Sequence, residues 1–335
     1  MTTTPLKHMT MTKRHKEFDC SALTILPLSE RRSDLCLADI SEVSMPPVVS
    51  PVFKILGSRI RAARKNGASV ILMMGAHVIR SGVQKYLINL MEKGFISCIA
   101  LNGAGIIHDY EFALAGATTE SVACYIRDGR FGLWHETGKI NDIVSKGASQ
   151  GRGLGESVGK AIFEGDYAHK DISLFAAAYR LGIPATVHVG IGYDIIHQFP
   201  NFSGADYGQA SHVDFLRFTH VMESLEQGGV MMNFGSAVMA PEVYLKSLSM
   251  VRNVARQTGR SVRNFTMLVC DLVDLPDDFK RVPQKTEPGY YFRPWKTMLV
   301  RTMEDGGQSY YVKGRHLETI PQLWAAVSLQ GEKNV

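Results

Sequence analysis

Several apolar, strand-like runs in the chain hand over to small and polar residues suited to handling a phosphate or a proton. Met74 is followed by Gly75, His77 and Ser81, and Leu101 by Asn102, Gly103, Gly105, His108 and Asp109. Val187 gives way to His188, Gly190, Gly192, Asp194 and His197, Phe234 to Gly235 and Ser236, and Cys270 to Asp271. Glycine lets a backbone approach a ligand closely, and the free amides of a helix N-terminus attract phosphate. A tight turn alone would explain any one of these glycines. Shared by five strand ends, the pattern fits a cofactor lying across the edge of a sheet.

Two other constellations carry chemistry. His188, Asp194 and His197 offer two imidazoles and a carboxylate, a set that holds zinc or iron if the side chains converge. Their spacing matches no standard ligand motif, so the main reading assigns no metal and the metal-assisted enzyme stands as an alternative. Around Tyr290-Tyr291-Phe292-Arg293-Pro294-Trp295-Lys296, aromatic rings surround a lysine. Desolvation there would free a nucleophilic amine for imine chemistry, and the rings would attract an amine by cation–π contact. An aromatic anchor at a subunit interface is the plainer alternative.

The elements that would position these groups are legible as alternation. Phe53–Lys65 has the period of an amphipathic helix and stops at Asn66-Gly67. Ser69–Met74 is continuously apolar, as in a strand covered on both faces. A helix from Val83 to Met91 closes at Lys93-Gly94, and Phe95–Leu101 is the next strand. Helix Leu174–Tyr179 and strands Ile183–Val189, Gly229–Ser236, Phe265–Asp271 and Thr297–Thr302 continue the series. Gly147–Gly155 reads as a loop or weak helical insertion. Strand, turn, helix and strand in repetition predict an α/β fold with a doubly wound, mostly parallel sheet. One domain over 46–335 is expected behind an N-terminal extension, 1–45, whose first 16 residues should be mobile.

Composition bounds the partners. A net charge of +5 over 335 residues is spread out, apart from Lys13-Arg14-His15-Lys16, which argues against nucleic acid. The 5 cysteines form no CxxC pair, so neither a zinc knuckle nor a disulfide framework is indicated. No apolar stretch approaches the roughly 20 residues of a membrane span, and the polar N-terminus lacks a signal-peptide core. A cytoplasmic enzyme is expected. There is no GxGxxG with a following acidic residue, no GxxxxGK[ST] loop and no GxSxG elbow.

The order of the pieces resembles deoxyhypusine synthase. Met74-Gly75-Ala76-His77-Val78-Ile79-Arg80-Ser81-Gly82 and, a helix and strand later, Asn102-Gly103-Ala104-Gly105-Ile106-Ile107-His108-Asp109 carry the likeness. It continues through Asn201–Gly208 and Gly228–Ser236. The resemblance implies a Rossmann-like NAD fold without the usual fingerprint, assembled as a homotetramer. It places NAD against Val78, Ser81, Asn102, Gly103, Gly105, Asp109, Gly235 and Ser236, and substrate against Trp295, Glu242 and Asp206. It implies aminobutyl transfer from a polyamine through an imine, with Lys296 as nucleophile; His188 and Asp194, placed after their strand by the residues alone, are expected in catalytic roles. Departures from the family are plain: Ile107-His108 replaces an acidic pair, Pro241-Glu242 replaces His-His, and Trp295-Lys296 lacks an intervening glycine. A relative that kept the fold and binds ligand without turnover is a further alternative.

Overall fold

The computed structural model describes residues 15–328. The mobility expected of the first 16 residues falls almost wholly outside that range. In chain order the strands are β1 (Ser33–Cys36), β2 (Val70–Met74), β3 (Cys98–Asn102), β4 (Ala117–Glu120), β5 (Ala185–His188), β6 (Val230–Phe234), β7 (Thr266–Asp271) and β8 (Gln308–Lys313). The helices of the first half are α1 (Pro51–Lys65), α2 (His77–Arg80), α3 (Gln84–Glu92), α4 (Gly103–Ala115), α5 (Val122–Tyr125), α6 (His135–Ala148) and α7 (Leu154–Glu164). Those of the second are α8 (Leu174–Leu181), α9 (Gly204–Met222), α10 (Met239–Gln257) and α11 (His316–Ser328).

Six strands form one parallel sheet in the order β5-β3-β2-β6-β7-β8. From β2 the chain steps outward to β3 and β5, then returns to lay β6 on the other side of β2. This is the doubly wound Rossmann order, with its switch point between β2 and β6. The inner strands bury both faces, which accounts for the unbroken apolar run of β2. Val70, Leu72 and Met74 pack into the layer holding α1, α3 and α11, whereas Ile71 and Met73 face the layer of α9 and α10. A second, antiparallel pair joins β1 to β4, so the segment before α1 is stitched to the body of the fold. Among the described residues no helix is long and apolar enough to cross a membrane.

Two sequence expectations change. Thr297–Thr302 is not a strand: Trp295–Arg301 is a π-helical stretch with Met298 and Leu299 in the core, and Thr302 Oγ1 donates to the Thr297 carbonyl. A short apolar run fits a buried helix as well as a strand. The sixth strand is β8, at the sheet edge. Gly147–Gly155 resolves into the end of α6, a turn, and the start of α7. There a Cβ on Gly155 would collide with the Ala185 carbonyl, so glycine permits the helix to touch β5. Cys98 and Cys270 are fully buried, and burial pushes both thiols well up, as expected of inert core cysteines.

Candidate functional site

The carboxyl ends of β2, β3, β5 and β6 open into one cleft of about 570 Å³ over the switch point. Ligands of open α/β sheets bind in this place. Gly75 ends β2, and a Cβ on it would overlap the carbonyl of Gly235, which ends β6 with φ +64°. The two turns therefore meet only because Gly75 carries no side chain, and a Cβ on Gly235 would run into the His316 ring. On the far wall Ser236 Oγ accepts from the Ala240 amide at 3.1 Å, while Asn233 exchanges bonds with the Ser236 backbone. These contacts fix the N-terminus of α10 at the cleft edge.

β3 delivers Asn102, whose Oδ1 is buried without a hydrogen-bond partner among the described residues. An acceptor left unpaired beside a cleft is a vacancy for a ligand donor, since burial without a partner costs about 1–3 kcal/mol. Next to it a Cβ on Gly103 would overlap the Asp194 carboxylate, which also accepts from the Ala104 amide. Burial pushes Asp194 up to about 6, against the pull of that amide bond. His188 ends β5 with Nε2 3.1 Å from Thr186 Oγ1, and burial pushes it down to about 3. It is a neutral imidazole at working pH.

A second cavity of about 250 Å³ adjoins the first. Arg80, Ala104, His108, Tyr193 and Asp194 line both. Beyond them lie Thr119, with its unusual φ of +68° and an Oγ1 that has no partner among the described residues, and Glu120. Tyr193 stands 85% exposed at the rim.

Of the residues expected to touch a cofactor, Asn102, Gly103, Gly235 and Ser236 line the cleft. His188, Asp194 and Glu242 line it too. The others lie elsewhere. Val78 is fully buried in the core, and Ser81 Oγ donates back to the His77 carbonyl at 2.8 Å. Gly105, in the first turn of α4, packs on Leu101 of β3, where a Cβ would crowd that side chain. Asp109 points away from the cleft and caps α8. Its carboxylate accepts from Ser173 Oγ at 2.5 Å, from the Leu174 amide at 2.8 Å and from the Phe175 amide at 3.3 Å. Asp109→Ala should therefore cost about 1–3 kcal/mol of stability by stranding these donors. Denaturant unfolding checks the loss, and dinucleotide affinity of the folded fraction should stay unchanged.

Lys296 is not among the cleft residues either; its Nζ lies 3.6 Å over the Tyr290 ring. Trp295 is buried and donates Nε1–H to the Phe279 carbonyl at 2.7 Å, so it offers no open wall to an amine. Asp206 sits in the first turn of α9, where its amide is capped by Ser203 Oγ. The proposed metal set does not assemble: His197 Nε2 stays 3.9 Å from Asp194 Oδ2. Among the described residues no group of three or more His, Cys, Asp or Glu could hold an ion. Arg80 and Tyr193 are among the cleft residues that sequence reasoning left without a role, and His108 was singled out only as one of the polar residues after β3. Their only signal was position, one or two turns beyond a strand end.

The family model for the C-terminal Rossmann fold of ArgZ-like arginine dihydrolases matches residues 54–163, from α1 through most of α7. No curated protein sequence gives a significant match. A solved structure described as a LOR/SDH protein from Methanococcus maripaludis S2 is 14% identical, with TM-score 0.51, over 87% of this chain and 71% of its own. AgrE in ternary complex with ornithine and NAD+ is 16% identical, with TM-score 0.48, over 84% of this chain and 33% of its own. The chain thus spans about a third of the length of the ArgZ and AgrE structures it matches. A protein described as a deoxyhypusine synthase from Entamoeba histolytica aligns at 8% identity and TM-score 0.32, over 68% of this chain and 76% of its own. That is too distant to carry the resemblance further. What the first of these likenesses shows is the fold.

Proposed function

We propose that the protein is an NAD-dependent enzyme acting on a small amine. The observation that carries this reading is the convergence of four strand ends, two of them bare glycine turns, on one cleft at the switch point. The cradle suits a dinucleotide: Gly75, Gly103 and Gly235 present backbone instead of side chains, and Asn102 Oδ1 lacks a donor. A bound nicotinamide would supply hydride acceptance or donation. The chain's own part is to hold charge beside it. Arg80 and Asp194, of opposite sign, flank the passage from the cleft into the smaller cavity, where a substrate would sit. With Asp194 near 6, its carboxylate is ionised above that pH and would pair with a substrate's ammonium group.

Calorimetric titration with NAD should give saturable binding. Ala237 is exposed at the cleft wall, so Ala237→Trp fills the cleft without disturbing the core and should abolish binding. No binding at millimolar NAD by folded protein refutes the reading. Turnover is sought with polyamines and with ornithine and arginine, both of which AgrE has been crystallised with. Binding without turnover would return the non-catalytic alternative.

Aminoalkyl transfer through Lys296 is the narrower form of this reading. One contact favours it: Arg293 pairs with Glu242 on the cleft wall, tying the segment before Lys296 to the rim. Borohydride trapping of an imine on Lys296 in the presence of NAD and spermidine would establish it. Full activity of Lys296→Arg would dismiss it.

A further inference from the structure

We infer that His108, reached from both cavities, is the group that takes the substrate's proton, with Nε2 as the accepting atom. This rests on the enzyme reading above. Its basis is a directed chain of hydrogen bonds. Glu111 receives the bidentate guanidinium of Arg31 at 2.8 and 3.0 Å, and a carboxylate so held only accepts. Thr118 Oγ1 lies 2.6 Å from Glu111 Oε2, so the threonine hydroxyl donates there. Its oxygen then accepts from the other neighbour, His108 Nδ1, at 2.8 Å. The proton of the neutral ring is thereby fixed on Nδ1, and Nε2 carries the free lone pair. Nε2 has no hydrogen bond among the described residues, while the ring lines the cleft and the smaller cavity alike.

The charged surroundings keep that lone pair available. Burial is the largest influence and pushes the imidazole down to about 4; Glu111 on the same helix opposes it, and Arg80 and His77 of α2 and Arg31 of the N-terminal segment reinforce it. Asp194, across the passage, lines the same two cavities. Proton transfer breaks an N–H bond of the substrate's ammonium group and forms Nε2–H, leaving the neutral amine with its nitrogen lone pair and the ring as imidazolium. The resulting imidazolium is held by Glu111 through Thr118. Thr118, Glu111 and Arg31 are positioning residues in this scheme. The alternation of β4 aims them: Thr118 and Glu120 both point inward, with Thr119, at φ +68°, between them.

Histidine-selective nitrogen NMR on the full chain tests the tautomer without any cofactor. His108 should be neutral near pH 7, protonated on Nδ1 and bare on Nε2, and Thr118→Val should release it to a mixture. A ring protonated on Nε2 overturns the proposal whether or not NAD binds. His108→Asn keeps a donor for Thr118 but has no basic nitrogen, so NAD affinity should hold while turnover of the amine falls about 10²–10⁴-fold. Unchanged turnover in that variant also overturns it. Wild-type protein that binds no NAD and turns over no amine refutes the enzyme reading, and the proton-accepting role with it, even where the tautomer is as stated.

Discussion

Arg31→Met should lower the stability of the folded chain by about 3–5 kcal/mol, the cost of stranding one partner of a buried ion pair. The side chains of Arg31 and Glu111 are each only 1% exposed, and the guanidinium meets the carboxylate with two bonds. Glu111 also collects the hydroxyls of Thr118 and Thr137, both at 2.6 Å. One carboxylate thus joins the N-terminal segment, β4, α4 and α6. Removing the arginine leaves an anion in a dry site with only hydroxyls to hold it. Pairing the change with Glu111→Leu removes the anion as well, so the double variant should recover much of the loss. Urea unfolding of both single variants and the double yields the coupling directly. A loss below about 1 kcal/mol in Arg31→Met would show that water reaches Glu111 and that the pair does not hold the segment.

Residues 15–45 carry weak periodicity in sequence because scattered contacts anchor them, not an amphipathic face: the Arg31 ion pair, the short strand β1, the Leu28 amide on Glu136 and the Leu26–Trp134 bridge. The central strands were legible for the opposite reason. β2, with five fully buried residues, has apolar neighbours on both sides, and such a run has few other homes. The same logic misread Met298-Leu299-Val300, which are as apolar and as buried but lie in a π-helix. β8 escaped because an edge strand reads as Gln308-Ser309-Tyr310-Tyr311-Val312-Lys313, half polar and half exposed. At the site, Asn102, Gly103 and Gly235 were findable since each stands at a strand end or directly after it, and Asp194 since it lies in the polar loop that follows β5. Asp109 looked equivalent but sits two turns into α4 on its inner side, and the helix it caps begins 65 residues later. Which face of a helix a carboxylate takes is decided by such distant partners. The tautomer of His108 likewise depends on Arg31, 80 residues before the glutamate it grips.

Asp214→Asn should flatten the dependence of stability on pH, because Asp214 is a buried carboxylate with no cation bonded to it. It is fully buried on α9, where Oδ2 accepts from the amides of Gly155 at 3.0 Å and Val187 at 2.9 Å. Oδ1 has no partner among the described residues. Burial pushes the group up from 3.8 to about 7, outweighing the two amide bonds and the more distant Arg217. The unfolded chain releases this proton near its ordinary value, whereas the folded chain holds it to about 7. Stability from this group is therefore complete in acid, falls as pH rises through that window, and is spent above it. A shift of this size is on the order of 4 kcal/mol. Asp109 and Asp194, each pushed up to about 6, slope the same way, so only the difference between wild type and variant isolates Asp214. Asparagine keeps a carbonyl for both amides and buries no charge. Unfolding in urea across the range from about pH 4 to pH 8 should show the wild type losing stability faster than Asp214→Asn up to about 7, then running parallel to it. Because Val187 precedes His188, the same bonds set the end of β5 that delivers His188 to the cleft. Curves that run parallel throughout would mean that the carboxylate is already ionised in the fold, with its charge answered by Arg217 after all.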